Sequence, residues 1–447
     1  MNLKKSLFLL AGAAVSLSAV TAMADDKAMT RDEVRALIAE MNNDAAGRTS
    51  LLQGGSTAGH DGKFYVASAN GDFKLTVGGF VQFRYLLNFR DDNAAVTDNE
   101  FEPGFQMRRA RIEFGGHVVN PNLTFMVSGE MSNGSGDSGE TGNFQLKDAY
   151  AKYKFNNEMY IRGGQMKLPF LKEELVSDTK QMTVERGVVN AAFTQDRSQG
   201  VEFGYEGTDW RGMLAFSDGF NSDNTDFNNG LTGGNGPVNG NSARESDYAF
   251  TGRFEYKFAG KDWKSFDDFT SMPGSDFAAY VGAAAHYQQS INTVNAADSD
   301  VQYFTYTVDT TIKTNGFTAF VAFVGANKEI RVGGSDTNFD DFGLAAQVAY
   351  RFGNTEPFIR YDGLYYDDNS VAAGTEENNN FVTVGFNQFF AGYAARLTID
   401  AIITLDDNQN LLTPVPGGSN PGGTGDGLLP STDSGQVGIR TQFQLIF

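Results

Sequence analysis

From residue 64 to the last residue, apolar and polar side chains alternate one for one over segment after segment. In DFKLTVGGFVQFRYLLNF, Leu75, Val77, Val81, Phe83, Tyr85 and Leu87 share one side, and Lys74, Thr76, Gln82 and Arg84 take the other. In FGLAAQVAYRF, Phe342, Leu344, Ala346, Val348, Tyr350 and Phe352 oppose Gln347 and Arg351. In AARLTIDAIITL, Ala395, Leu397, Ile399, Ala401 and Ile403 oppose Arg396, Thr398, Asp400 and Thr404. A period of two belongs to a strand with two unlike faces, not to a helix. Strands are expected at 72–90, 104–119, 122–131, 144–155, 158–167, 199–206, 210–218, 246–258, 276–290, 301–313, 316–326, 340–352, 356–366, 379–390, 391–405 and 435–447.

The connections alternate in length. NPN at 120, NNE at 156, TNG at 314, GNTE at 353 and AG at 391 read as tight turns; long acidic, Asn- and Gly-rich links at 91–102, 168–198, 219–245, 367–379 and 406–434 come between them. Tight turns on one side and long loops on the other are the habit of an outer-membrane barrel. The chain ends in GIRTQFQLIF, alternating to its final residue. Left at a sheet edge in water, such a strand would pair with other chains. Its expected partner is the strand starting near Asp72, which closes the wall. The expected fold class is all-β: a transmembrane antiparallel β-barrel of about 16 strands with a short N-terminal helix. The stretch 259–275 stands out as an unusually long inner connection.

The start reads differently. MNLKKSLFLLAGAAVSLSAVTAMA has Lys4 and Lys5, an apolar run from Leu7 to Val20 and small residues at Ala22 and Ala24, which is a secretory signal peptide over 1–24. Thr30 and Glu33 then have capping-box spacing before Val34, Leu37, Ile38 and Met41, which predicts one helix over 30–43. A linker follows, so the expected organisation is 1–24 signal peptide, 25–60 helix and linker, and 61–447 barrel.

Composition agrees with that picture. Fifty-two glycines and 38 phenylalanines suit turn-dense strands with one greasy side. After the first 25 residues no run of about 18 apolar residues occurs, which excludes a helical span. There are no cysteines, so no disulfide is expected. The net charge is -20, and loss of Lys4 and Lys5 would take it to -22. That balance argues against nucleic acid as a partner. His60, His117 and His286 are the only histidines, and none sits in a hydrolase arrangement. The expectation is no enzyme and no cofactor. Asp clusters such as RDDNAAVTDNE and GSDTNFDD offer oxygens to calcium but follow no EF-hand spacing.

Between residues 61 and 204, DGKFYVASANGDFKLTVGGFVQFRY, RRARIEFGG, KDAYAKY and GGQMKLPFLKEELVSDTKQMTVERGVVNAAFTQDRSQGVEFGYEG resemble the phosphate-selective porin O and P family, and EPFIRYD and TVGFNQFF resemble its closing strands. The resemblance implies a trimer of sixteen-stranded barrels, each folding its third outer loop into the lumen. It also implies an anion path with arginines and a central lysine cluster.

Strand parity by itself places Arg84, Arg109, Arg111, Arg253, Arg351, Arg360, Arg396 and Arg440 on the polar side, because a charge facing hydrocarbon at mid-depth costs about 2–4 kcal/mol. Two readings of these arginines stay open. They form a ladder that guides anions, or they pair with Glu113, Glu202, Glu255, Asp309, Asp362 and Asp400 on the same faces. The expected constriction loop carries Lys167, Lys172, Lys180, Arg186 and Arg197 against Glu173, Glu174, Asp178, Glu185 and Asp196. Folded inside, opposite signs across an opening would set up a transverse field. The expected function is an outer-membrane porin, a water-filled channel for small hydrophilic solutes with a preference for phosphate or other anions. The alternatives are a non-selective or weakly cation-favouring porin and an envelope protein touching the cell wall through the 30–43 helix. Expected partners are outer-membrane lipid and lipopolysaccharide, two further copies in a homotrimer, and small hydrophilic or anionic solutes. The expected location is the outer membrane of a Gram-negative-type bacterium, reached through the periplasm.

Overall fold

The strands whose alternation is described above hydrogen-bond to their sequence neighbours in an antiparallel meander. In the computed structural model the described residues are 56–90, 101–131, 144–219, 222, 246–292, 299–332, 335–370, 377–406, 427–429 and 435–447. The expected signal segment and the 30–43 helix lie outside them, as do several of the acidic outer loops. Two short strands, β1 (Ser56–His60) and β2 (Phe64–Ser68), come first. The wall follows as β3 (Lys74–Phe89), β4 (Phe101–His117), β5 (Leu123–Met131), β6 (Phe144–Lys154), β7 (Met159–Lys167), β8 (Arg197–Glu206), β9 (Trp210–Ser217) and β10 (Tyr248–Ala259). It continues as β11 (Ala278–Asn292), β12 (Ser299–Thr314), β13 (Phe317–Val332), β14 (Ser335–Tyr350), β15 (Thr355–Tyr365), β16 (Asn378–Phe389), β17 (Ala395–Thr404) and β18 (Val437–Ile446).

The terminal strand meets the first strand of the wall, Val437 opposite Phe89 through Ile446 opposite Phe80. Among the described residues, β3 to β18 therefore close a ring of sixteen strands. Where β18 runs out, β2 takes over the same edge of β3, Phe64 opposite Val77 through Ala67 opposite Lys74. No stretch of β3 is left as an open edge, which in lipid would strand several backbone donors. Phe83, Phe105, Phe203, Leu214, Phe254, Val321, Ile359 and Phe443 stand exposed on the outside, as lipid requires.

Two expectations need correction. Residues 56–60, read as linker, form β1, which a five-residue polar segment gives no periodic signal for. The acidic GSDTNFDD, read as loop, lies largely in β14, because β13 and β14 run in register out to Val332 and Ser335. The inner connection between β10 and β11 is as long as expected, but it is not a slack loop. It makes a 3-10 turn, Trp263–Phe266, and buries Trp263, Phe266 and Phe269.

Candidate functional site

The segment between β7 and β8 folds into the barrel. It contains a helical turn α1 (Lys172–Leu175), a 3-10 turn Asp178–Lys180 in which the Thr179 N–H donates to the Ser177 hydroxyl, and a second helix α2 (Val188–Phe193). Phe170, Leu171, Val188, Val189, Ala192 and Phe193 are buried against Val324, Ala326, Ala345, Leu364, Phe381 and Ile402. The last six belong to the inward-facing side of β13 to β17. Each large apolar side chain so buried contributes about 1.5–3 kcal/mol. This greasy patch on an otherwise polar face is a signal that the sequence reading missed, and it marks where the loop docks.

Polar contacts complete the attachment, and they use the wall arginines. Arg84 donates to Glu185 at 2.6 Å and to the Val184 carbonyl at 3.0 Å. Arg109 reaches Glu185 at 2.6 Å, and Arg108, the extra residue of a bulge opposite Gln82 and Phe83, reaches it at 3.0 Å. Arg111 pairs with Asp178 at 2.7 Å and with Glu130. Arg360 grips Glu173 with two bonds, 2.5 and 2.8 Å, and Asp362 at 2.5 Å. Arg253 holds Asp309 at 2.8 and 2.9 Å and donates to the Phe170 carbonyl at 2.7 Å. Arg440 holds Asp400 at 2.7 and 2.9 Å, and Asp400 accepts the Val184 N–H at 2.9 Å. Arg396 donates to the Gln181 carbonyl at 2.8 Å, and Arg351 to the Gly353 carbonyl at 3.1 Å while lying over the Phe389 ring. All eight arginines face inward as parity required, and all are buried. Six of them meet a carboxylate: Arg253, Arg360 and Arg440 meet Asp309, Asp362 and Asp400 of the wall, as in the second reading of the sequence, whereas Arg84 and Arg109 meet Glu185 of the loop and Arg111 meets Asp178 of the loop and Glu130.

The loop's own charges are used in the same way. Lys167 pairs with Glu174 at 2.9 Å, Arg186 with Glu174 at 3.3 Å and with Asp178, and Arg197 with Asp148 at 3.1 Å and Asp196 at 3.0 Å. Burial alone would raise the Asp178 carboxyl, but Arg186, Arg109 and Arg111 hold it well below the usual carboxylate range. For Glu185 burial is likewise overridden, by Arg109, Arg108 and Arg84. Opposite signs are thus locked into pairs rather than displayed across an opening, which removes the expected transverse field from this part of the lumen. Among the described residues, Lys172 and Lys180 have no carboxylate within ion-pair distance. Gly187 is a further residue the sequence reading missed: a Cβ there would lie 1.7 Å from Arg360 Nη2, so only glycine lets that guanidinium close on Glu173.

The loop's contacts run to β3, β4 and β10 to β18, and leave the inward face of β5 to β9 largely uncovered. There Tyr150, Lys152, Tyr160, Arg162 and Arg211 are partly exposed. The Arg162 side chain is 20 % exposed and that of Glu113 25 %, against 0 % for Arg84. Lys152 Nζ lies 3.5 Å from the centre of the Tyr160 ring, and the Arg162 guanidinium 5.0 Å from that of Tyr150. Arg162 and Tyr160 both donate to Glu202, at 2.7 and 2.9 Å. Lys63, from the turn before β2, crosses the bare face of Gly78 to Glu113 at 2.6 Å. Of the three histidines, His286 is buried between Thr251 and Gln288, and His117 contacts the Gly71 carbonyl.

Residues 81–259 match the family described as phosphate-selective porin O and P. No curated protein matches the chain. Among solved structures, the outer membrane channel DcaP of Acinetobacter baumannii is similar with a TM-score of 0.56 at 13 % identity, over 85 % of this chain and 99 % of that one. The anion-selective porin from Comamonas acidovorans is similar with a TM-score of 0.53 at 14 % identity, over 83 % and 99 %. OmpF of Salmonella typhi, solved with daunomycin, is similar with a TM-score of 0.50 at 13 % identity, over 84 % and 99 %. At such identities the likeness is one of fold. The chain therefore builds a porin barrel, and the stretch of it from 81 to 259 carries the pattern of the phosphate-selective porin O and P family.

Proposed function

We propose that the protein is an outer-membrane porin, a passive channel for small hydrophilic solutes, and that solutes travel along the β5 to β9 side of the lumen. The observation that carries this is the lopsided docking of the 168–196 loop, which dries one wall and leaves the other wet. A homotrimer in lipid and lipopolysaccharide is the assembly that fits the fold. Anion preference is the finer reading, and Lys152 supports it: it faces the wet side with an aromatic ring and no ion-paired carboxylate beside it among the described residues. Cations that lack an opposed carboxylate concentrate anions locally. Six of the eight wall arginines, Arg84, Arg109, Arg111, Arg253, Arg360 and Arg396, bond the loop directly and act mainly as its fasteners.

Purified protein added to a planar bilayer should give stepwise conductance increments. In a tenfold potassium chloride gradient the reversal potential should move toward the chloride equilibrium value. Absence of steps from folded protein sinks the channel reading; a reversal potential near zero, or on the potassium side, leaves the channel and favours the non-selective or cation-favouring alternative.

A further inference from the structure

The inner connection 260–277 does more than join β10 to β11. Its first part is two-faced. The Asp262 carboxylate accepts the Ser265 N–H at 3.1 Å and starts the 3-10 turn, in which residues three apart share a side. Trp263 and Phe266 are therefore buried together, Phe269 continues the spacing, and Lys261, Asp262, Lys264 and Asp267 are exposed. Both ends of the segment are pinned to inner turns of the wall. Trp263 Nε1 donates to the Gly207 carbonyl at 2.8 Å, between β8 and β9, and the Trp263 ring lies 4.5 Å from the Arg211 guanidinium. Between β12 and β13, the Asn315 N–H donates to the Ser275 carbonyl and the Gly316 N–H to the Met272 carbonyl, each at 3.1 Å. The segment is a strap strung between separate turns.

What the strap carries inward is Phe269. Its side chain is fully buried among Val176 and Met182 of the constriction loop and Phe320, Ala322, Ala349 and Phe358 of the wall, with its ring 4.9 Å from that of Phe320. The backbone of the same loop stretch is held from the wall: Gln82, Gln444 and Arg396 donate to the carbonyls of Asp178, Thr179 and Gln181 at 3.2, 3.1 and 2.8 Å. Those bonds fix the backbone and leave Val176 and Met182 to rest on Phe269. A polar route runs beside it. Thr270 Oγ1 donates to Glu356 Oε2 at 3.1 Å, and Asn387 Nδ2 donates to the same oxygen at 3.0 Å and to the Met182 carbonyl at 2.9 Å. Strap, wall and loop thus meet at one carboxylate.

We propose that Phe269 is a positioning residue for the constriction, a peg that holds residues 176–182 at their height in the lumen, so that the open width of the channel is set from both ends of the barrel. Packed interiors leave little slack, so removing the ring frees the loop stretch to move into the space it leaves. Phe266, three residues earlier on the same strap, packs instead on Trp263, Ala278 and Tyr280.

This rests on the channel reading, and the test separates the two. Wild-type protein, F269A and F266A are compared in planar bilayers, with heat-modifiable gel migration as the check of folding and of thermal stability. Each variant loses one buried phenyl ring from the strap, so both should melt earlier than wild type. Only F269A should change the open channel: its current noise should rise severalfold, and neutral polyethylene glycols too large to enter the wild-type channel should enter it and lower its conductance. F269L and F266L keep part of each ring's bulk, should show the same contrast in smaller degree, and decide the matter if the alanine variants do not fold. Folded Phe269 variants with wild-type noise and polymer cutoff overturn the proposal and leave the channel intact. Equal changes in the Phe266 and Phe269 variants also overturn it, since the strap as a whole would then be responsible and the peg would not. Wild-type protein without conductance steps sinks the channel reading, and this proposal with it.

Discussion

The two sides of this lumen are made from the same alphabet of charge and yet behave as opposites. On β13 to β18 and β3, the inward residues are buried, and Arg84, Arg360 and Arg440 are spent on Glu185, Glu173 and Asp400. On β5 to β9, Lys152 and Arg162 are backed by tyrosine rings and remain in reach of water. The difference is one of what lies opposite. A loop bearing carboxylates and five large or medium apolar side chains, Phe170, Leu171, Val188, Val189 and Phe193, faces the first wall, and open lumen faces the second. An arginine on a barrel's inner face is thus a solute contact only where no chain segment has claimed it.

The largest effect should come from breaking the dry side. Glu185→Ala leaves Arg84, Arg108 and Arg109 buried around an empty position, and removing one partner of a buried ion pair costs about 3–5 kcal/mol. Folded protein should convert to the unfolded gel band at a clearly lower temperature, and its channel current should become noisy as the loop undocks. Wild-type thermal behaviour would show that the wall arginines do not fasten the loop. Next comes Gly187→Ala. The added methyl must push the Arg360 guanidinium off Glu173, and overpacking of this kind costs about 1–3 kcal/mol. The same thermal assay reads it, and Gly187→Ser should be no better.

The wet side should respond in selectivity and not in stability. Lys152→Met removes the charge while keeping most of the apolar stem, so the melting of the barrel should stay within about 0.5 kcal/mol of wild type. The reversal potential should fall toward zero, with a severalfold drop in anion over cation permeability. If Arg440→Gln shifts selectivity more than Lys152→Met does, the assignment of the two walls is reversed.

The smallest effect belongs to Lys172, which stands where the two walls meet. Burial pushes its ammonium down to about 8, with Glu255 opposing that shift and Arg211 and Arg253 adding to it. A lysine with a lowered value is charged below it and neutral above it. Anion preference should therefore decline modestly as pH rises from 7 to 9, and Lys172→Met should lessen that decline. The anchoring carboxylates run the other way. Glu174 is held at about 2, burial being overridden by Arg186 and Lys167, so its contribution is present above the ordinary glutamate range and is lost only as pH falls through about 2.

Much of the wall was legible in advance. Alternation is a property of neighbours along the chain, so sixteen strands, their inward arginines and the closing pair of β3 and β18 followed from residues a few positions apart. That the 168–196 loop enters the lumen was expected from its length and from the family resemblance, but where it docks was not. Its marks were present as apolar residues on polar faces, such as Val324, Leu364, Phe381 and Ile402, and as Gly187, but each gains its meaning from a residue far away.

What the amino-acid order determined alone is the two-faced wall and its closure, because a backbone in lipid has no other way to satisfy its donors than through adjacent strands. What the tertiary structure decided is which charges are free. Glu173 and Arg360 are 187 residues apart in the chain and 2.5 Å apart in the barrel. No periodicity encodes such a contact, since it depends on where a long loop finds apolar surface and carboxylate partners at once.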